Sequence, residues 1–250
     1  MKNQTILKIF ILAVITVSFA IQVRSQEVIK FYQQGKVGYK DKAGKIIVEP
    51  KYTAGSDFFD GMALVLEGRK RGFINTSGEI KIPFEYDDAS IFKEGLAKVG
   101  KDKKYGYINK EGKTIIELQY DFADDFINGL ARVSKDGKFG FINQIGKVII
   151  PLKYSNARNF SEGVAAVKEE KWGFINEKGV TAIPFQYEDA VIFYQGNAVV
   201  AKDGKRIFID HNGKWVKDMP MHEENEMEGR FDKDKDKDKD RDKDRDKDRK

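Results

Sequence analysis

The chain has 250 residues, of which 34% are charged and 12% aromatic, with no Cys and a formal charge of +5. The missing Cys excludes disulfides, Cys-ligated metals, thiol nucleophiles and a lipid on an N-terminal Cys. The basic balance sits mostly at the ends. Residues 1–25 carry +3 and the tail 232–250 carries +1, which leaves +1 for residues 26–231, so global basicity is no argument for nucleic acid.

In chain order, the first segment reads as an export signal. Lys2 and Lys8 precede an apolar run, Ile9 to Ile21, and no acidic residue occurs before Glu27. Val23-Arg24-Ser25 then offers small or apolar residues at −3 and −1, which predicts cleavage between Ser25 and Gln26. The run is too short for the roughly 20 residues that span a bilayer. The expected products are a signal peptide (1–25), a repeat domain (26–217), an acidic linker (218–231) and a charged tail (232–250).

A pattern with a period of about 34 residues fills the repeat domain. Tyr stands at 52, 86, 120, 154 and 187; Phe follows six residues later, at 58, 92, 126, 160 and 193; Gly follows three after that. A second Gly column, usually behind an aromatic, holds 38, 72, 106, 140 and 173, with Ile207 at the sixth place. Such self-similarity means units too small to bury a core alone. Residues present in every unit are therefore read as structural.

Within one unit, Leu96-Ala97-Lys98-Val99, Tyr105-Gly106-Tyr107-Ile108 and Lys113-Thr114-Ile115-Ile116 are short aromatic and β-branched runs split by Gly, Asn, Asp and Lys, as antiparallel strands are. The five residues 100–104 are read as the first hairpin loop. An Asn/Asp-x-x-Gly turn such as Asn109–Gly112 follows, where Gly supplies the positive φ of a type I turn closed by a bulge. A nine-residue connection then leads onward. Its small residue (Gly55, Ala89, Ala123, Ala157 or Ala190) predicts close approach of another backbone. One residue is missing within 168–171, in the same hairpin loop. Tyr105 and Tyr107 point one way and Ile108 the other, so each sheet is expected to be covered on both faces. The fold class is all-β: about six three-stranded antiparallel meanders in a ring-like, propeller-like array or an open β-superhelix.

Lys171-Trp172-Gly173-Phe174-Ile175-Asn176, the Gly-Leu-Ala-x-Val at 95–99 and 129–133, and Pro184-Phe185-Gln186-Tyr187 resemble the WG-repeat proteins of bacteria. The resemblance covers about 190 residues. Trp occurs only once at the signature position; Val37, Arg71, Tyr105, Phe139 and Arg206 replace it. The resemblance implies a β-repeat with a binding or scaffolding role and no defined reaction.

The tail from Asp232 alternates Asp with Lys or Arg and holds no apolar residue, so it is expected to stay solvated and disordered. The interleaved cations argue against calcium there. His222 among Glu223, Glu224, Glu226 and Glu228 is read as a solvated acidic linker. His211 is read as a turn residue. No nucleophile–base constellation, phosphate loop or zinc motif occurs. The paired acids Asp87-Asp88, Asp124-Asp125 and Glu188-Asp189 are read as turn caps. No catalytic, metal-ligating or cofactor-binding residue is assigned.

The positive signal is positional. Basic residues recur in the first hairpin loop, and Lys70, Arg71, Lys104, Lys138 and Lys171 are the candidate ligand-binding set. If units stack in register, these loops form a cationic band along one rim, with the acidic connections elsewhere. The competing reading is that loop lysines merely keep sheet edges soluble. The expected function is that of a secreted or periplasmic, non-catalytic module binding a protein of the cell envelope. An anionic-glycan binder stands second and a glycan hydrolase third.

Overall fold

The computed structural model describes residues 27–219, which form twenty-three β-strands in six antiparallel sheets. The export segment with its Ser25–Gln26 cleavage site, most of the acidic linker with His222, and the charged tail lie outside the described residues.

Sheet 1 contains β1 (Val28–Gln33), β2 (Lys36–Asp41) and β3 (Ile46–Tyr52). Sheet 2 contains β4 (Ala54–Gly55), β5 (Met62–Glu67), β6 (Lys70–Asn75) and β7 (Ile80–Tyr86). Sheet 3 follows with β8 (Asp88–Ala89), β9 (Ala97–Lys101), β10 (Lys104–Ile108) and β11 (Thr114–Tyr120). Sheet 4 has β12 (Phe122–Ala123), β13 (Leu130–Lys135), β14 (Lys138–Asn143) and β15 (Val148–Tyr154). Sheet 5 has β16 (Asn156–Ala157), β17 (Val164–Lys168), β18 (Trp172–Asn176) and β19 (Thr181–Tyr187). Sheet 6 has β20 (Asp189–Ala190), β21 (Ala198–Lys202), β22 (Lys205–Ile209) and β23 (Trp215–Asp218).

Five of the six sheets therefore have four strands, not three. The extra strand is a two-residue segment of the connection, which crosses from the last strand of one sheet to pair with the first long strand of the next, as Ala123 does with Val133. It ties consecutive sheets together through the backbone. The first hairpin loop is also tighter than the five residues expected. In sheet 3 only Asp102 and Lys103 lie between strands, both at positive φ (51° and 62°), as a type I′ turn requires. The Asn-x-x-Gly turn forms as expected: Gly78 N–H donates to Asn75 O at 2.9 Å, and Asn75 Oδ1 accepts from the backbone of Ser77 and Glu79.

The second Gly column has a steric cause. The third long strand bulges opposite it, shifting register between Tyr105 and Tyr107 in sheet 3. A Cβ on Gly106 would overlap Ile116 O and lie 2.8 Å from the Glu117 carbonyl carbon. Sheet 6 shows the converse. Ile207 pairs with Asp218 and Phe208 with Lys217 without a shift, so β23 does not bulge there and a side chain is accommodated.

Both faces of the inner sheets are covered. Tyr107 packs towards sheet 4 and Ile108 towards sheet 2, each fully buried. The five core clusters each unite two consecutive sheets, and none among the described residues joins sheet 1 to sheet 6. The end sheets shield aromatics with lysine instead. Lys40, where the other sheets place a buried Ile, lies 5.3 Å over Phe31, and Lys217 lies 4.7 Å over Phe208. The small-residue column does meet close neighbours, but at Gly55 the neighbour is a side chain: a Cβ there would collide with the Tyr39 hydroxyl.

Gly106→Ala is expected to destabilise the protein by about 2 kcal/mol or more, since the clash is with backbone that cannot rotate away. Ala at 207 in place of Ile removes only packing and is expected to cost less. Urea denaturation midpoints of the two variants check the order.

Candidate functional site

The hairpin loops between the first and second long strands project from one end of the sheets and carry the candidate lysines. Lys70 pairs with the Asp87 carboxylate, Arg71 donates to Asp87 O, and its guanidinium lies 3.7 Å from Asp88. Lys104 pairs with Asp121 at 2.5 Å. The acidic connections therefore do not lie away from the basic rim, contrary to the expectation from sequence. The acids after Tyr86 and Tyr120 reach into that rim from the next sheet, while Thr53 follows Tyr52. The second oxygen of each acid accepts a backbone N–H of that next sheet's own hairpin: Asp102 N donates to Asp87 Oδ2 at 3.0 Å and Asp136 N to Asp121 Oδ2 at 2.7 Å. One carboxylate therefore staples two neighbouring loops, and the continuous cationic band is neutralised at the interfaces of sheets 2–3 and 3–4. The lysine hydrogen bond, followed by the backbone N–H, holds both carboxyls below the usual carboxylate range.

The interface of sheets 4 and 5 is built differently. The residue after Tyr154 is Ser155, whose hydroxyl donates to Lys168 O and Glu169 O at 3.1 and 2.9 Å. Lys138, which stands where Lys70 and Lys104 stand, has no carboxylate partner among the described residues. A second column is inverted as well. In sheets 3, 4 and 6 a loop lysine reaches a Glu or Gln on the third strand of the preceding sheet (Lys101 to Glu85, Lys135 to Gln119, Lys202 to Gln186, at 3.0–3.3 Å). Here the strand residue is Lys153 and the loop residue Glu169, paired at 2.9 Å. The missing residue completes the change. β17 ends at the Lys168–Trp172 pair, so sheet 5 lacks the Lys135–Lys138 rung of sheet 4 and closes through three residues, Glu169–Lys171. The retracted loop opens a cleft of about 530 Å³ with Lys138, Lys171, Glu170 and half-buried Phe185 in its walls.

Of the five candidate residues, then, the structure brings Lys138 and Lys171 to one cleft and engages Lys70, Arg71 and Lys104 in bridges between sheets. Lys153 and Ser155 were not singled out from sequence; their columns (Lys51, Glu85, Gln119, Lys153, Gln186 and Thr53, Asp87, Asp121, Ser155, Glu188) share these residue types with the first interface, and the missing loop residue is what marks sheet 5.

The paired acids are also in use. Asp124 accepts from Arg132 at 2.8 Å, Asp125 pairs with Lys93 at 2.8 Å, and Asp189 accepts the Ala190 N–H at 2.9 Å. His211 lies in the β22–β23 turn with its ring 4.1 Å from that of Phe193. Among the described residues no cluster of three or more His, Asp or Glu could hold a metal ion, and no helix is long and apolar enough to cross a membrane.

A family model described as the WG containing repeat matches residues 38–70, 72–105, 105–139, 139–171 and 172–205. No curated protein matches the chain. Similar solved structures include Hsv2 of Kluyveromyces lactis (11% identity, TM-score 0.45, covering 74% of this chain and 71% of that one) and a eukaryotic initiation factor (10%, 0.48, 78% and 63%). A Bacteroides caccae protein of unknown function is also similar (15%, 0.29, 77% and 92%).

Because Asp87 and Asp121 are depressed in the fold, their stapling contributes stability above the unfolded carboxylate pKa of about 4 and loses it as pH falls through the lower folded values. The double variant Asp87→Asn/Asp121→Asn is expected to be less stable than the parent at pH 7 and to differ little from it at pH 2, read as urea midpoints across that range.

Proposed function

The chain belongs to the family of WG-containing repeats, and on that premise we propose that it is an exported, non-catalytic module that binds another protein of the cell envelope. The signal-like first segment supports export. The titratable groups support a non-catalytic role: the paired acids that a hydrolase would need are engaged with Arg132, Lys93 and backbone N–H groups, which leaves no free acid and base facing one another in those pairs.

The observation that carries the binding role is the break in the repeat at sheets 4 and 5. Core columns continue through this interface unchanged, with Tyr154, Phe160 and Gly173 in place. The rim positions carry Lys153, Ser155 and Glu169, residue types that recur as Lys51, Thr53 and Glu67 at the first interface, and among the described residues the loop is shortened only in sheet 5. Substitutions confined to a projecting rim leave stability to the core and give the loops a surface of their own. The second reading, an anionic-glycan binder, is favoured by Lys138 and Lys171 sharing the cleft.

The test is retention of envelope extract on the full-length protein and on Lys138→Glu/Lys171→Glu, at low and high salt. A discrete protein band held by the parent and lost by the variant is expected. Retention of polysaccharide alone, released by salt, would replace the protein reading with the glycan one.

A further inference from the structure

We propose that the cleft between sheets 4 and 5 binds an acidic peptide segment, and that one ligand carboxylate takes the place that Asp87 and Asp121 occupy at the two preceding interfaces. The inference rests on the protein-binding reading above and names the chemistry of the partner. Its basis is the protein's own repetition. Twice, an Asp side chain lies between a lysine at the start of the second long strand and a backbone N–H of the next hairpin. Each Asp immediately precedes a two-residue strand, so the geometry suits a carboxylate presented by extended peptide. At the interface of sheets 4 and 5 the lysine is kept, as Lys138, and Ser155 stands in place of the Asp; the interface of sheets 1 and 2 likewise has Lys36 and Thr53, so what sets sheets 4 and 5 apart is the shortened loop and the cleft beside it.

The remaining groups decide the charge and class of the ligand. Lys153 and Glu169 neutralise each other at 2.9 Å. Lys138 and Lys171 then stand against Glu170, which leaves the cleft with one excess positive charge. Phe185 offers an apolar wall, held by stacking on Tyr154 at 6.4 Å and an interplanar angle of 16°. A sugar would need several hydroxyl partners. The Ser155 hydroxyl already donates its proton to backbone carbonyls, and Lys153 and Glu169 are committed to one another. What is left is cationic and apolar, a match for a peptide with carboxylates beside an apolar side chain. A single exposed ion pair contributes about 1 kcal/mol at most, so measurable affinity needs several acids in the segment and falls with salt.

The decisive variant is Ser155→Asp, which restores the residue type of the neighbouring interfaces and is expected to leave the fold intact. It should pair with Lys138 and lower affinity about fivefold for a labelled nine-residue peptide rich in Asp, Glu and Leu, measured by fluorescence anisotropy on the full chain. Lys138→Gln should weaken the same peptide. A matched peptide with Asn and Gln for the acids should not bind. The proposal is overturned if Ser155→Asp binds the peptide as the parent does, if no binding to the parent is seen, or if an oligogalacturonate of equal charge binds more tightly than the peptide. An envelope protein retained equally by the parent and by Ser155→Asp would overturn this site while leaving the broader protein-binding reading intact.

Discussion

Every interface between consecutive sheets is closed by the same aromatic contact. An aromatic in the second long strand meets a Phe in the connection that enters the next sheet: Tyr39 with Phe58, Phe73 with Phe92, Tyr107 with Phe126, Phe141 with Phe160, and Phe174 with Phe193, at centroid separations of 4.7–5.1 Å. Burying such a ring stabilises by about 1.5–3 kcal/mol, and a tilted aromatic pair adds about 0.5–1.5 kcal/mol. A repeat sheet with apolar residues on both faces cannot bury them without its neighbours, so these contacts decide whether any sheet forms. The phenols carry a further demand. Burial raises the pKa of Tyr39 and Tyr107, and each hydroxyl donates to a connection carbonyl, Ser56 O at 2.8 Å and Asp124 O at 2.5 Å. Phe at the same place in four other sheets requires no such partner.

With cohesion lodged in the middle of each interface, the two ends of the sheets are free to differ. At the turn end, Glu94 accepts the Asn128 and Gly129 N–H groups at 2.7 and 2.9 Å, and Glu162 accepts that of Gly196 at 3.0 Å. These bonds join successive turns. At the hairpin end, Asp87 and Asp121 serve the same purpose, and Ser155 does not. The proposed binding site therefore arises by removing a structural staple from a scaffold that the aromatic column still holds, which costs the fold little and leaves a lysine ready for another carboxylate.

Much of this order is legible in sequence. The Phe column, the Gly column, the Asn-x-x-Gly turns and the two-faced burial of Tyr107 and Ile108 all follow from residue types recurring in register. The fourth strand is not legible. It is two residues long, it is polar or small in composition except for Phe122, and its pairing depends on where the next sheet lies. The length of the first hairpin is hidden in sheet 3, where Asp102-Lys103 adopts positive φ without a glycine, whereas Gly35, Gly68, Gly137 and Gly204 mark the equivalent turns of sheets 1, 2, 4 and 6. The rim misleads when charge is summed loop by loop. Lysines and acids 17 residues apart, as Lys70 and Asp87 or Lys104 and Asp121 are, meet only once the sheets are stacked. That constant spacing is nonetheless written in the residue order; it fails at Lys36 and Thr53 and again at Lys138 and Ser155, and only the second failure coincides with a missing loop residue, which points to the cleft.

If cohesion is local to each interface, a whole period can be removed without loss of the fold. Deleting 88–121 joins Asp87 to Phe122 and sets the sheet 2 aromatic Phe73 against Phe126, with the same column partners as before. The most direct measurement is the urea unfolding of this shortened chain, followed by circular dichroism and tryptophan fluorescence. A cooperative transition with β-sheet spectra, at a lower midpoint than the parent, is the result predicted. A chain without a cooperative transition would show that the sheets depend on contacts beyond their immediate neighbours, and would contradict the account.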